Sequence, residues 1–143
     1  MINEKVLGAF YGKSVLVTGG TGLIGRQVVD ILAQASAKLL VVSLDKVEPV
    51  PGVEYRKGDL TEFQFCRQIT SGMDYVFHMA GIKGSIDVTK TMPSSHFVPA
   101  LMFNTNMLEA CRVNRVEKIV YTSSIGAYSQ GEIFREDDPA DGP

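Results

Sequence analysis

The chain has 143 residues, with 14 Lys+Arg against 16 Asp+Glu, 45% hydrophobic and 21% charged, which is enough apolar sequence for one core and too much for a disordered segment. A net charge of −2 without a Lys/Arg cluster leaves no electrostatic footprint for nucleic acid, and no apolar run approaches the ~20 residues of a membrane span. Cys66 and Cys111 lie 45 residues apart without a CxxC spacing, and with only His78 and His96 beside them they read as buried thiols of a reduced, cytoplasmic protein rather than zinc ligands.

Apolar runs alternate with helical periodicity along the chain. Residues 13–18 form a short apolar run stopped by glycines, as a buried strand is. Residues 23–37 carry Ile24, Val28, Ile31, Leu32 and Ala35 at helical spacing. Residues 38–43 are apolar on both faces and predict a central strand, whereas residues 53–57 predict a weaker, peripheral one. Residues 61–69 read as a short helix capped by Thr61, residues 74–78 as a fourth strand, residues 94–114 as a long helix with Met102 and Met107 filling the core, and residues 117–123 as a fifth strand. Alternation of this kind predicts an α/β fold: a parallel sheet of about five strands with helices on both faces, in one domain over residues 1–143. A complete doubly wound domain carries six strands or more, so the expectation is an incomplete one, cut before its sixth strand. The polar, acidic stretch from Gln130 to Pro143 reads as a loop, with Asp137-Asp138 as solvated charge.

The turn between the first strand and first helix reads Thr18-Gly19-Gly20-Thr21-Gly22-Leu23-Ile24-Gly25. Gly19 permits a tight turn, Gly22 lets backbone approach a pyrophosphate, and Gly25 lets the helix pack closely. Unpaired N–H groups at the start of the helix, around Thr21 to Ile24, then face phosphate oxygens. Asp45 ends the second strand 20 residues after Gly25, where a carboxylate accepts from ribose hydroxyls and repels a 2′-phosphate. This spacing favours dinucleotide binding over a merely structural turn. A P-loop is excluded because Arg26-Gln27 stands where Lys-Ser/Thr is required.

These residues resemble the extended short-chain dehydrogenase/reductases, the NAD-dependent epimerase/dehydratase family of nucleotide-sugar enzymes with a Rossmann-type sheet. The resemblance rests on Gly19, Gly22 and Gly25, on Leu44-Asp45, on Gly58-Asp59-Leu60, on His78-Met79-Ala80-Gly81, and on Tyr121-Thr122-Ser123-Ser124. It implies NAD as cofactor, with Asp59 and Leu60 near the adenine and His78, Ala80, Gly81 and Thr122 along the cofactor. It also implies a nucleotide-sugar substrate for the full-length parent and leaves room for a homo-oligomer, with no role for nucleic acid or membrane. Ser124 is the catalytic candidate it points to, placed to polarise a sugar oxygen, against the alternative of a turn-capping serine. His78 reads as a core histidine satisfied by backbone rather than as an acid–base group. A narrower resemblance to GDP-fucose synthases rests on Gly84-Ser85-Ile86, Pro93 and Phe97; Gly126 departs from it where those enzymes use cysteine, and Ala100 and Phe103-Asn104 replace the family's Asn-x-x-Gly-Thr.

Family chemistry requires a Tyr-x-x-x-Lys pair, in which lysine lowers the tyrosine's pKa. Four residues after Tyr11, Tyr55, Tyr75, Tyr121 and Tyr128 come Val15, Asp59, Met79, Ile125 and Glu132. In the family the pair lies downstream of the serine. The sequence therefore predicts the cofactor-binding portion of an epimerase, dehydratase or reductase that is inactive by itself, or alternatively a non-catalytic NAD-binding sensor or regulatory module.

Overall fold

A computed structural model describes residues 3–45, 50–82 and 90–123. Five strands, β1 (Ser14–Thr18), β2 (Lys38–Ser43), β3 (Val53–Lys57), β4 (Tyr75–His78) and β5 (Lys118–Tyr121), form one parallel sheet in the order β3-β2-β1-β4-β5. Helices α1 (Glu4–Phe10), α2 (Leu23–Gln34), α3 (Phe63–Thr70) and α4 (Pro93–Val113) accompany them among the described residues. The order reverses beside β1. From β1 the chain steps outward through β2 to β3, then returns to place β4 on the other side of β1. The crevice above such a switch point is where open α/β sheets bind ligands.

The pleat sorts the core into two layers. Pairing is in register from Ser14↔Lys38 to Thr18↔Val42 and from Val15↔Tyr75 to Thr18↔His78. Val15, Val17, Leu39 and Val41 therefore share one face, where Val29 and Leu32 of α2 cover them. Leu16, Leu40, Val42 and Val76 share the opposite face, packed under Cys66 and Ile69 of α3 and Met107, Ala110 and Cys111 of α4. Each fully buried aliphatic side chain contributes about 1.5–3 kcal/mol. The continuous apolar runs of β1 and β2 follow from this double burial.

Several local expectations are corrected. Helix α1 lies outside the predicted elements; it spans seven residues, none fully buried, and only Leu7 and Phe10 are partly covered. Helix α2 ends at Gln34 because Ser36, at φ 56°, leaves the helical region. Helix α3 starts at Phe63 with Glu62 at its N-cap. Thr61 does not cap it, since its hydroxyl and its amide both donate to Asp59 Oδ1, each at 2.9 Å. On α4, Met107 is fully buried but Met102 is 43% exposed, and Phe97, Val98, Leu101 and Leu108 also face outward. Both cysteines are buried with free thiols, as the sequence predicts. Among the described residues, no helix is long and apolar enough to cross a membrane.

Candidate functional site

The carboxyl ends of β1, β2 and β4 are tied together by backbone hydrogen bonds that fix the glycine loop. Gly19 N–H donates to Val42 O at 2.8 Å, Gly22 N–H to Gly19 O at 3.0 Å, and Met79 N–H to Thr18 O at 3.1 Å. Gly19 has φ +66°, and a Cβ there would lie 2.6–2.7 Å from the backbone of Met79 and Ala80. Only glycine satisfies both the left-handed conformation and that close approach. Gly25 is needed for a related reason. Its Cβ would run into the carbonyl of Gly19, so the first turn of α2 packs on the glycine loop itself rather than on the sheet. The N-cap of α2 is Gly22, which supplies no side-chain hydrogen bond to the first-turn amides. Those amides and the helix dipole favour an anion at this end.

Above these strand ends lies a cleft of about 730 Å³, within the range of small-molecule sites. The glycine loop contributes Gly19, Thr21, Gly22, Leu23, Ile24 and Gly25 to its lining. Asp45 bounds it at the end of β2, Asp59 and Leu60 at the turn after β3, and Ala80 and Gly81 after β4. Sequence reasoning overlooked Ser43, Thr61, Pro99 and Phe103, which also line it. Ser43 belongs to the apolar β2 run, and the two α4 residues reach the cleft only through tertiary packing. Neither carries a local signal.

The two carboxylates are held by neighbours. Asp45 Oδ2 accepts from Thr21 Oγ1 at 2.9 Å, and Asp59 Oδ1 accepts from Thr61. The carbonyl of Leu60 accepts from Cys66 Sγ at 3.2 Å and from Asn106 Nδ2 at 3.1 Å, which ties this turn to α3 and α4.

His78 and Thr122 do not line the cleft. The His78 side chain is fully buried, with its imidazole in the core beneath the cleft. Its partners are also not backbone. Nδ1 lies 2.6 Å from Thr18 Oγ1 and Nε2 lies 2.9 Å from Asn104 Oδ1, with Phe103 edge-on and Tyr121 stacked against the ring. Burial lowers the His78 pKa from its ordinary value. Thr122 donates its hydroxyl to His78 O at 3.3 Å. Ser124, Gly126 and Tyr128 lie outside the described residues, as do Lys46, Gly84-Ser85-Ile86 and the acidic Asp137-Asp138.

The glycine cradle fits a dinucleotide pyrophosphate on two counts. Its glycines let the loop fold closely on Met79, Ala80 and itself without side chains, and it presents uncapped amides at the start of α2.

Comparison with known proteins agrees with this geometry. The 3 beta-hydroxysteroid dehydrogenase/Delta 5-->4-isomerase of Mycobacterium tuberculosis is 31% identical over 125 residues, covering 82% of this chain and 33% of its own length. The structure of epimerase Mth375 from Methanothermobacter thermautotrophicus superposes with a TM-score of 0.81 at 26% identity, covering 94% of this chain and 43% of that one. MoeE5, solved in complex with UDP-glucose and NAD, superposes with a TM-score of 0.73 at 27% identity over 88% of this chain and 42% of its own. The chain thus spans less than half the length of each of these three proteins. Residues 15–143 match the family model described as the NAD dependent epimerase/dehydratase family, and the chain belongs to that family.

Proposed function

We propose that the chain is the NAD-binding portion of a nucleotide-sugar epimerase, dehydratase or reductase. In this reading the pyrophosphate lies over Gly19 to Gly25, the adenosine ribose at Asp45, and the adenine beside Asp59 and Leu60. The observation that carries it is the cleft itself: a glycine loop at a helix N-terminus and a strand-end carboxylate border one cavity at the sheet's switch point. A nucleotide-sugar substrate is supported by the UDP-glucose bound in MoeE5. A cytoplasmic location accompanies this reading, because reduced thiols persist there. NAD, when bound, supplies a hydride acceptor. Ser124 polarises the reacting sugar oxygen in a protein that also carries the Tyr-x-x-x-Lys pair.

Titration of the chain with NADH, followed by calorimetry or nicotinamide fluorescence, tests the reading. Saturable binding is expected, and none at millimolar cofactor removes it. NAD should bind more tightly than NADP. Asp45 sets one negative charge near a 2′-phosphate, and at an effective dielectric near 20 a unit pair at 4 Å costs about 4 kcal/mol before screening. Tighter NADP binding would place the ribose elsewhere.

A second reading is a non-catalytic NAD-binding sensor or regulatory module. Neither reading expects turnover by this chain alone. A coding sequence continuing past Pro143 with Tyr-x-x-x-Lys in frame favours the enzyme, and a stop codon there favours the module.

A further inference from the structure

Two hydrogen bonds join Thr21 of the glycine loop to the acidic end of β2, a third lies within that end, and the protons of all three can be assigned. Asp45 donates its backbone N–H to Ser43 Oγ at 3.1 Å. Thr21 Oγ1 donates to Asp45 Oδ2 at 2.9 Å. The two hydroxyl oxygens, Ser43 Oγ and Thr21 Oγ1, lie 2.8 Å apart. A hydroxyl has one proton, and an ionised carboxylate has none to give. The Thr21 proton is therefore committed to Asp45, and the proton between the hydroxyls belongs to Ser43. The donors close into a ring, running from the Asp45 amide to Ser43, to Thr21, and back to the carboxylate of Asp45. Bonds aligned head to tail in this way polarise one another.

From this ring we infer that Ser43 and Thr21 are positioning residues that set the discrimination between NAD and NADP. The inference rests on the proposed placement of the adenosine ribose at Asp45. Asp45 is exposed at the end of a strand. Each bond to such a side chain that is lost makes it easier for the carboxylate to change its staggered well and move away from an incoming 2′-phosphate. Held by Thr21, the carboxylate stays where it accepts from a ribose hydroxyl and opposes a phosphate. The gain is preorganisation: the rotamer is fixed before the cofactor arrives. The ring also joins two subsites. Thr21 stands in the loop assigned to the pyrophosphate and Asp45 at the ribose, so a disturbance of either reaches the other through their direct bond and through Ser43.

The test compares NAD and NADP affinities by calorimetry in the full chain and its variants. Ser43→Ala and Thr21→Val should each lower the NAD-to-NADP affinity ratio about fivefold, the factor for one hydrogen bond of ordinary net worth. Ser43→Thr, which keeps the hydroxyl, should restore it. Ser43→Ala added to Asp45→Ala should leave the ratio of the Asp45→Ala chain unchanged, since there is no longer a carboxylate to hold. A second readout needs no cofactor. Thr21→Val should shift the Asp45 amide resonance in a proton–nitrogen correlation spectrum, although Thr21 does not touch that amide. An unchanged ratio in both single variants, with the parent still preferring NAD, overturns the positioning role and leaves the NAD reading standing. An unmoved Asp45 amide overturns the ring itself. A parent chain that binds neither cofactor overturns the NAD reading and this inference together.

Discussion

Asn104 Oδ1 lies 2.9 Å from Nε2 of His78, in a core where the histidine has no exposed surface. An amide oxygen only accepts, so Nε2 carries the proton, and Nδ1 is left to accept from Thr18 Oγ1 at 2.6 Å. The neutral ring thus joins β1, β4 and α4 directly beneath the candidate cleft. Asn104→Leu keeps the volume but strands the Nε2 proton in the core. Leaving a buried donor unmet costs about 1–3 kcal/mol, so urea denaturation should show a loss of that order. A loss below 0.5 kcal/mol, a bound set by the low end of what a hydrogen bond contributes, would show that the bond does not hold the core together.

The same burial makes stability depend on pH. Desolvation lowers the His78 pKa from its ordinary 6.5, against the weaker opposing pull of the Asn104 hydrogen bond. The native state therefore binds fewer protons than the unfolded state at mildly acidic pH. This contribution is fully present above pH 6.5 and is lost as pH falls toward the folded value. The unmodified chain should lose more stability than His78→Asn between pH 7.5 and 5. Denaturation curves at both pH values check it, and equal losses would mean that the ring is not held neutral.

The pattern of what the sequence made legible follows from where the information lies. Strands β1 and β2 were readable because burial on both faces leaves unbroken apolar runs. The glycine loop was readable because its constraint is local: Gly19 and Gly25 answer to backbone within the loop and the adjoining turn. Helix α1 was not, since a seven-residue helix with no fully buried residue is too short a pattern to announce itself. The partners of His78 stand 60 and 26 residues away in the chain, and no spacing rule joins them. Ser43 was hidden in the same way: its hydroxyl acquires a role only when the fold brings Thr21 beside it. The outward Met102 shows the opposite error, because helical periodicity marks a helix without saying which apolar residues the core receives.

Cys66 and Cys111 give a chemical probe of the α3–α4 layer. Burial raises both thiols to about 11, and Cys66 is raised further by the nearby Cys111 and Asp59. The thiolate is the reactive form, so neither cysteine should react with a disulfide reagent at pH 8 in the native chain. Both should react fully in 6 M guanidinium, about the range in which even very stable domains unfold. Rapid native labelling would indicate that α3 and α4 separate readily.

The glycine loop permits a separation of folding from binding. At Gly22, φ is −76° and an added Cβ would meet only the carbonyl of Gly19 at 3.3 Å, so alanine fits after a shift of a few tenths of an ångström. At Gly25 the Cβ would collide with that carbonyl and lie 2.7 Å from Gly20 Cα, so the loop must move. Gly25→Ala should therefore cost about 1–3 kcal/mol of stability, as overpacking does. Gly22→Ala should stay within about 0.5–1 kcal/mol of the parent, as surface changes mostly do. Binding should follow a different order. The Gly22 methyl occupies the approach to the first-turn amides of α2, so NADH affinity should fall at least about tenfold, or about 1.4 kcal/mol, in a chain that is still folded. Thermal denaturation and NADH titration on the same samples decide it. If Gly22→Ala binds as well as the parent, the phosphates do not lie over this loop, and the cofactor assignment at Asp45 has to be redrawn with it.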